Sequence, residues 1–355
     1  MIDTERKLTE FLPQLPAAEW VAVDTEADSL HAYPEKLCLL QLSIPGSDVL
    51  VDPLARIDLA PLWDALRGHE LIFHGADYDL RLLRKGFQFV PKKIFDTMLA
   101  ARLLGSLKFG LSDLIAKHLC VTLEKGAQKA NWARRPLTPR MEAYAQNDTH
   151  YLKPLAGILK NELREKGRLA WHEESCARLI EDCSAPRAAE PDLVWRVKGS
   201  HRLGRAALGV LREIWLWREQ VAVSVNKPPY FVLKPETMVA VAAAATTANS
   251  VEKHLPHYFP EHRKSSFFAA IERGQSLSTL HQPDLLRSQG TRLTQAQKNR
   301  LEALLQQRDD QAKKLGLDPT VIASRSTLIS LAVDRETNQR QLLGWQRELL
   351  RGEKT

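Results

Sequence analysis

The chain has 355 residues, 44% of them hydrophobic and 26% charged, the balance of a soluble globular protein with room for two or three domains. Its four cysteines, Cys38, Cys120, Cys176 and Cys183, form no C-x-x-C pair, which argues against a zinc site or disulfide framework and suits a reducing compartment. Residues 1–192 carry 25 basic and 28 acidic side chains, a balance of −3, whereas residues 193–355 carry 25 and 15, a balance of +10. Positive charge concentrated on one half is the usual footprint of a nucleic-acid partner. The opening MIDTERKLTEFL lacks the apolar core of a signal peptide, and the Ala-rich run VAVAAAATTA (239–248) is too short to span a bilayer. A cytoplasmic protein without a membrane role is therefore expected.

In chain order, a short amphipathic helix is predicted at 5–15, followed by strand-like runs at 20–24, 36–44 and 49–52. Pro45-Gly46-Ser47-Asp48 marks a turn that makes the last two a hairpin. The pattern then alternates: a helix at 59–67, a strand at 71–74, a helix at 76–86, a strand at 93–95, and a helix stopped by Gly105. Antiparallel strands followed by strand–helix alternation predict an α/β domain, a mixed sheet with helices on its faces. Thr138-Pro139 supplies an N-cap and a first-turn proline for a long helix, 139–166, closing at Gly167. SAPRAAEPD (184–192) reads as a linker.

Beyond the linker the chain reads as helical and contains a faint repeat. Arg218-Glu219, Ala222, Pro229 and Val232-Leu233 are echoed by Arg308-Asp309, Ala312, Pro319 and Val321-Ile322. Two small all-α modules of one plan follow, separated around residues 275–290. The domain expectation is 1–185, 193–275 and 285–355, with a core complete by about residue 184.

No G-x-x-x-x-G-K-[ST], G-x-G-x-x-G, H-E-x-x-H or G-x-S-x-G is present. What remains is acidic. Asp24 and Glu26 alternate with Thr25 on a strand and project to one side. Tyr144 and Asp148 stand four apart and share one helix face. Asp77 and Asp79 open a helix after strand 71–74; spacing favours Asp77 as the first-turn acid and Asp79 as the site residue without deciding between them. Carboxylates crowded together repel unless cations neutralise them, and oxygen-only ligands suit Mg²⁺ or Mn²⁺. Two such ions about 4 Å apart can clamp a phosphodiester, one activating water and the other stabilising the leaving oxygen.

VDTEAD, HGADYD and YAQND, in this order, resemble the three exonuclease motifs of the DEDD superfamily, and the tyrosine of the third resembles its DEDDy branch. The blocks IFDTMLAARLLG (94–105) and NWARRPLTPRMEAYAQNDTHYL (131–152) are similar to ribonuclease D, and WREQVAVSVNKPPYFVL (217–233), with AKKLGLDPTVI (312–322) more loosely, is similar to HRDC modules. The resemblance implies an RNase H-like fold, two divalent metal ions held by Asp24, Glu26, Asp79 and Asp148, and Tyr144 orienting water. It implies 3′→5′ hydrolysis of RNA to nucleoside 5′-monophosphates, with tRNA precursors and other structured RNAs as partners and no protein partner. A DNA exonuclease and a catalytically dead RNA-binding adaptor are the competing expectations. The family often has an acid where this chain has Asn131, outside the metal set.

Other polar residues are expected in structural roles: Asp28 as a strand-end solubiliser, Asp96 as a helix N-cap, His74 as a satisfied core histidine, His150 on an outer helix face. Lys129, Arg134 and Arg135 are divided evenly between phosphate contacts and a solvated turn. Trp215 and Trp217 cannot share a helix face, so at least one is expected in the core.

Overall fold

The computed structural model describes residues 1–124, 126–185, 192–247, 249–285 and 293–351, which form two compact units. Most of the 184–192 linker, and the end of the 275–290 one, lie outside the described residues. The first unit comprises Met1–Ala27, Lys36–Pro186 and Leu293–Thr355; the second comprises Asp28–Glu35 and Arg187–Arg292.

The first unit is built on a five-stranded sheet of order β3-β2-β1-β4-β5, with β1 Val21–Ala27, β2 Leu37–Ile44, β3 Ser47–Val51, β4 Glu70–Phe73 and β5 Lys93–Asp96. β2 pairs antiparallel with both β1 and β3, β4 joins parallel to β1 and β5 parallel to β4, so the sheet is mixed as expected. Ile44 faces Ser47 across Pro45-Gly46, and Gly46 takes the positive φ of 76° that this tight turn requires. Every residue of β2 is buried because both faces of the sheet are covered. One face packs Val23, Leu40, Leu42 and Phe73 against helices α1 (Glu5–Phe11), α2 (Ala60–Leu66) and α3 (Asp77–Phe87). The other carries Ala22, Ile72 and Phe95 toward α4 (Thr97–Leu103), α5 (Leu111–Leu119), α6 (Pro139–His150) and α7 (Leu152–Glu165).

The predicted helix 139–166 is two helices, α6 and α7, broken at Tyr151 (φ −91°, ψ −1°). The reason is Pro154, which has no N–H for the carbonyl of residue 150 and whose ring would clash with it. Helix α8 (Leu169–Ser184) completes the exonuclease-like part.

The C-terminal helices α13 (Gln295–Leu315), α14 (Pro319–Ile322), α15 (Arg325–Val333), α16 (Arg335–Asn338) and α17 (Gly344–Leu349) pack onto this part in one shared core. Trp171 and Trp345 stack at 4.8 Å and 11°. Glu174 Oε1 accepts from the Gly344 N–H at 2.6 Å, and Arg168 donates to the carbonyls of Leu103 (2.7 Å) and Leu315 (2.6 Å). A Cβ on Gly105, which holds φ 86°, would sit 2.0 Å from the Gly316 carbonyl oxygen, so only glycine allows this approach. The expectation that residues up to about 184 complete the core by themselves is corrected here: Trp171 and Arg168 use partners from 293–351.

In the second unit, α9 (Arg205–Ser224), α10 (Pro229–Val232), α11 (Pro235–Ala244) and α12 (Glu261–Gln275) enclose a core around Trp195, Ile214, Trp217 and Phe267. A Cβ on Gly274 would meet Val210 Cα at 2.5 Å, so α9 and α12 approach closely. The stretch 28–35 belongs here: the Tyr33 N–H donates to Asn226 Oδ1 (3.2 Å), its hydroxyl bonds Glu219, and Tyr230 Oη donates to the Leu30 carbonyl (3.3 Å). The sequence repeat is a shared plan: α9-α10-α11 and α13-α14-α15 each run long helix, one-turn helix opened by proline, helix. The paired Arg218–Glu219 and Arg308–Asp309 contacts are both 2.7 Å. No helix among the described residues is long and apolar enough to cross a membrane.

Candidate active site

β1 brings Asp24 and Glu26 to the face covered by α6, which contributes Asp148 one turn after Tyr144. Carboxylate oxygens of Asp24, Glu26 and Asp148 all lie within 4.8 Å of one another. Three converging acids fit a hard divalent cation held by oxygen ligands. Asp79 is not among the three whose oxygens meet that distance, but it lies close enough for its charge to raise the carboxyls of Asp24 and Glu26. Its carboxylate accepts the Thr25 hydroxyl at 2.5 Å, and Thr25 projects to the opposite side of β1 from Asp24 and Glu26. Asp77 takes the other role: it is exposed at the first turn of α3 and pairs with Arg81 at 2.8 Å.

The electrostatics are those of a site awaiting positive charge. Burial pushes the Asp24 carboxyl well above its ordinary range, reinforced by the charges of Asp79, Asp148 and Glu26. Glu26 is raised to about 9 by burial and then by Asp148 and Asp79. Asp148 is raised to about 7 by burial, against a hydrogen bond from Tyr144 that lowers it. Asp79 is raised to about 6 by burial, opposed by its bond from Thr25. The Tyr144 hydroxyl is raised too, by burial and the neighbouring carboxylates, so it stays protonated at neutral pH.

Other side chains hold these groups in place. Asp96 caps α4 through the Met98 and Leu99 N–H groups (2.8 and 3.1 Å) and also accepts from Gly75 (3.1 Å) and Ala76 (2.8 Å), tying down the entry to α3 and hence Asp79. The N-cap expectation for Asp96 holds, with two further bonds that spacing does not reveal. The block before α6 is a clamp: Arg135 grips Asp52 through two 2.6 Å bonds and donates to the Trp132 and Cys38 carbonyls at 2.7 Å. Neither a phosphate contact nor a solvated turn, the two expectations for Arg135, describes this internal clamp, whereas Arg134 is exposed. Trp132 is buried with its ring 6.1 Å from that of Tyr144, and Asn131 Oδ1 accepts locally from the Ala133 N–H at 3.2 Å.

Asp28 is fully buried, not a solubiliser, and its carbonyl accepts from His31 and Ala32 in a turn. His74 is partnered by Thr97 (2.8 Å) and His150 is half exposed beside Asp48 (2.6 Å), both as expected. Trp217 is core and Trp215 only half-buried. The reading of the sequence missed Thr25, Gln41 and the Asp52–Arg135 pair. For Gln41 a signal existed, a polar residue in the middle of the apolar run LCLLQLSI.

The sequence matches the 3′-5′ exonuclease family over residues 1–164 and the HRDC domain over 207–250 and 297–346. Among curated relatives, ribonuclease D of Desulfotalea psychrophila is 28% identical over 99% of this chain and 96% of its own length. Ribonuclease D of Gluconacetobacter diazotrophicus is 34% identical over 69% of this chain and 63% of its own. The fold is that of Escherichia coli RNase D (TM-score 0.80, 24% identity, covering 98% and 95% of the two chains) and resembles the catalytic core of RRP6 from Trypanosoma brucei (TM-score 0.65, 27%, covering 77% and 78%). Together these define a 3′-5′ exonuclease domain joined to HRDC segments, and its acidic cluster fits a divalent cation. Over almost its whole length the chain is thus similar to proteins named ribonuclease D.

Proposed function

We propose that this protein is a metal-dependent 3′→5′ exoribonuclease that releases nucleoside 5′-monophosphates from 3′-extended RNA, including tRNA precursors and other structured RNAs. The observation that carries the reading is the convergence of Asp24, Glu26 and Asp148 within 4.8 Å in an exonuclease fold. The relatives named ribonuclease D support RNA as the substrate, and the E. coli structure is described as an exoribonuclease involved in structured RNA processing.

In this reading Asp24, Glu26, Asp79 and Asp148 hold two divalent ions, Mg²⁺ or Mn²⁺, which supply an activated water and positive charge at the leaving oxygen. Tyr144 orients the attacking water through its hydroxyl, which its raised pKa keeps protonated. The exonuclease module spans 1–185, and the modules at 193–275 and 285–355 grip the RNA backbone with the basic half of the chain. The test is time-resolved degradation of 3′-extended tRNA beside matched single-stranded RNA and DNA, with and without divalent metal. Stepwise 3′ shortening of RNA in metal alone is expected. Faster DNA degradation would make it a DNA exonuclease, and binding without hydrolysis would make it an adaptor.

A further inference from the structure

Gln41 lies in the middle of β2, is fully buried, and neither its amide nitrogen nor its amide oxygen has a hydrogen-bond partner among the described residues. An amide with up to four hydrogen bonds to make is disfavoured in such a place unless something engages it. The sheet register shows what is nearby. Asp24 of β1 and Leu50 of β3 sit directly across from Gln41, so all three side chains project to one face. Opposed residues on neighbouring strands have Cβ atoms about 4.5–5.5 Å apart, well within reach of a glutamine. Along β2 on the same face, Leu39 is apolar, and the Ser43 hydroxyl already meets Asp48 at 2.5 Å and Thr149 at 2.7 Å. Leu50 offers no polar atom. Of the two residues directly opposite Gln41, Asp24 is the one with a carboxylate; Glu26, opposite Leu39, lies farther off on the diagonal of the same face.

We propose that Gln41 is a positioning residue for Asp24: its side-chain N–H donates to the Asp24 carboxylate when a divalent cation occupies the acidic cluster. One carboxylate oxygen then points to the cation while the other is held by the amide. Hydrogen bonds from such an outer layer fix the orientation of metal ligands. The inference rests on the proposed metal-binding role of Asp24 and adds the group that aims it. It also accounts for a polar side chain inside an otherwise apolar strand.

The test is Gln41→Met, which keeps an unbranched side chain of similar length without the amide, read by calorimetric titration with Mn²⁺ and by thermal denaturation in EDTA. The expected result is a Kd for Mn²⁺ raised roughly 10–100-fold, the usual range for losing such a partner, with the metal-free melting temperature unchanged or higher. A merely packing role predicts the opposite pattern, an altered melting temperature with the Kd within twofold of the parent, and overturns the proposal. A second measurement needs no variant: in ¹⁵N-labelled parent protein, Mg²⁺ should shift the Gln41 side-chain NH₂ resonance and slow its hydrogen exchange, saturating at the Mg²⁺ Kd. An unmoved resonance, with exchange unchanged at saturating Mg²⁺, sinks the idea even if Gln41→Met fails to fold. If the parent binds no divalent ion at all, the metal reading itself fails, a result distinct from binding that ignores Gln41.

Discussion

At Asp24, burial and three neighbouring acids make ionisation unfavourable without a cation. Carboxyl groups with folded pKa values above their unfolded ones hold protons that the unfolded chain releases near pH 4, so their stabilisation is greatest at acidic pH. In chelator, stability should therefore fall as pH rises through about 6 for Asp79, about 7 for Asp148 and about 9 for Glu26. Thermal melts in EDTA across this range check the sign, and a divalent cation should restore most at the alkaline end. Asp24→Asn should flatten the curve and raise the metal-free melting temperature at about pH 8, while cutting hydrolysis by several orders of magnitude. A steeper alkaline loss in that variant would contradict the account. Tyr144→Phe keeps the ring beside Trp132 but removes the hydroxyl, and kcat should fall roughly 10²-fold with Mn²⁺ affinity nearly intact. Calorimetry showing that affinity collapses along with kcat would make the tyrosine a support for the ligands instead.

At the scale of elements, the starts of α3 and α4 share one carboxylate. Asp96 satisfies four backbone N–H groups, two at each entry, so one side chain fixes both the strand–helix corner and the placement of Asp79. Asp96→Ala should cost about 2–4 kcal/mol, more than a simple N-cap, because the N–H groups of Gly75 and Ala76 lose their acceptor as well. Urea denaturation measures it, and a loss within the range of an ordinary exposed cap would mean those two groups find another partner. The three acidic segments were legible because each pattern is local: period two on a strand, period four on a helix, a first-turn acid. What was not legible is how near Asp79 comes to Asp24, Glu26 and Asp148 while its carboxylate accepts from Thr25, because that depends on how α3 leans on β1, which no spacing encodes. The split of 139–166 into α6 and α7 was within reach, since Pro154 marks it.

Across the whole molecule, residues 293–351 do more than add charge. Trp345 is buried against Trp171, and its truncation leaves a cavity in a core shared with the exonuclease part. Trp345→Ala should cost about 3–5 kcal/mol and lower the unfolding temperature of the exonuclease part with it, in a single transition if the core is one cooperative unit. Two separate transitions in calorimetry, with only one displaced, would show the module folding independently. A chain ending near Ser184 should aggregate, because Trp171 and Leu103 lose their cover. The basic half can be tested without deletion. Exposed Lys227→Glu and Lys234→Glu together should raise KM on 3′-extended tRNA and lower the salt slope of its logarithm by up to roughly 0.7–0.9 per lost phosphate contact. On a short single-stranded substrate kcat should stay the same, and an identical salt slope would remove these lysines from the RNA path.

What the sequence alone determined is what is local or cumulative. Strand and helix periods, caps, the hairpin turn, the paired helical modules, the charge asymmetry and the three acidic motifs all arise within a few residues or by summation along the chain. Only the tertiary structure decided which of those acids converge, that Arg135 is spent on Asp52 rather than on a phosphate, that Asp28 is buried, and that residues 293–351 share a core with the exonuclease part while 28–35 pack with α9. Each of these joins groups far apart in sequence, and neither residue type nor spacing carries a distance; side-chain reach and close packing settle it only once the chain has folded.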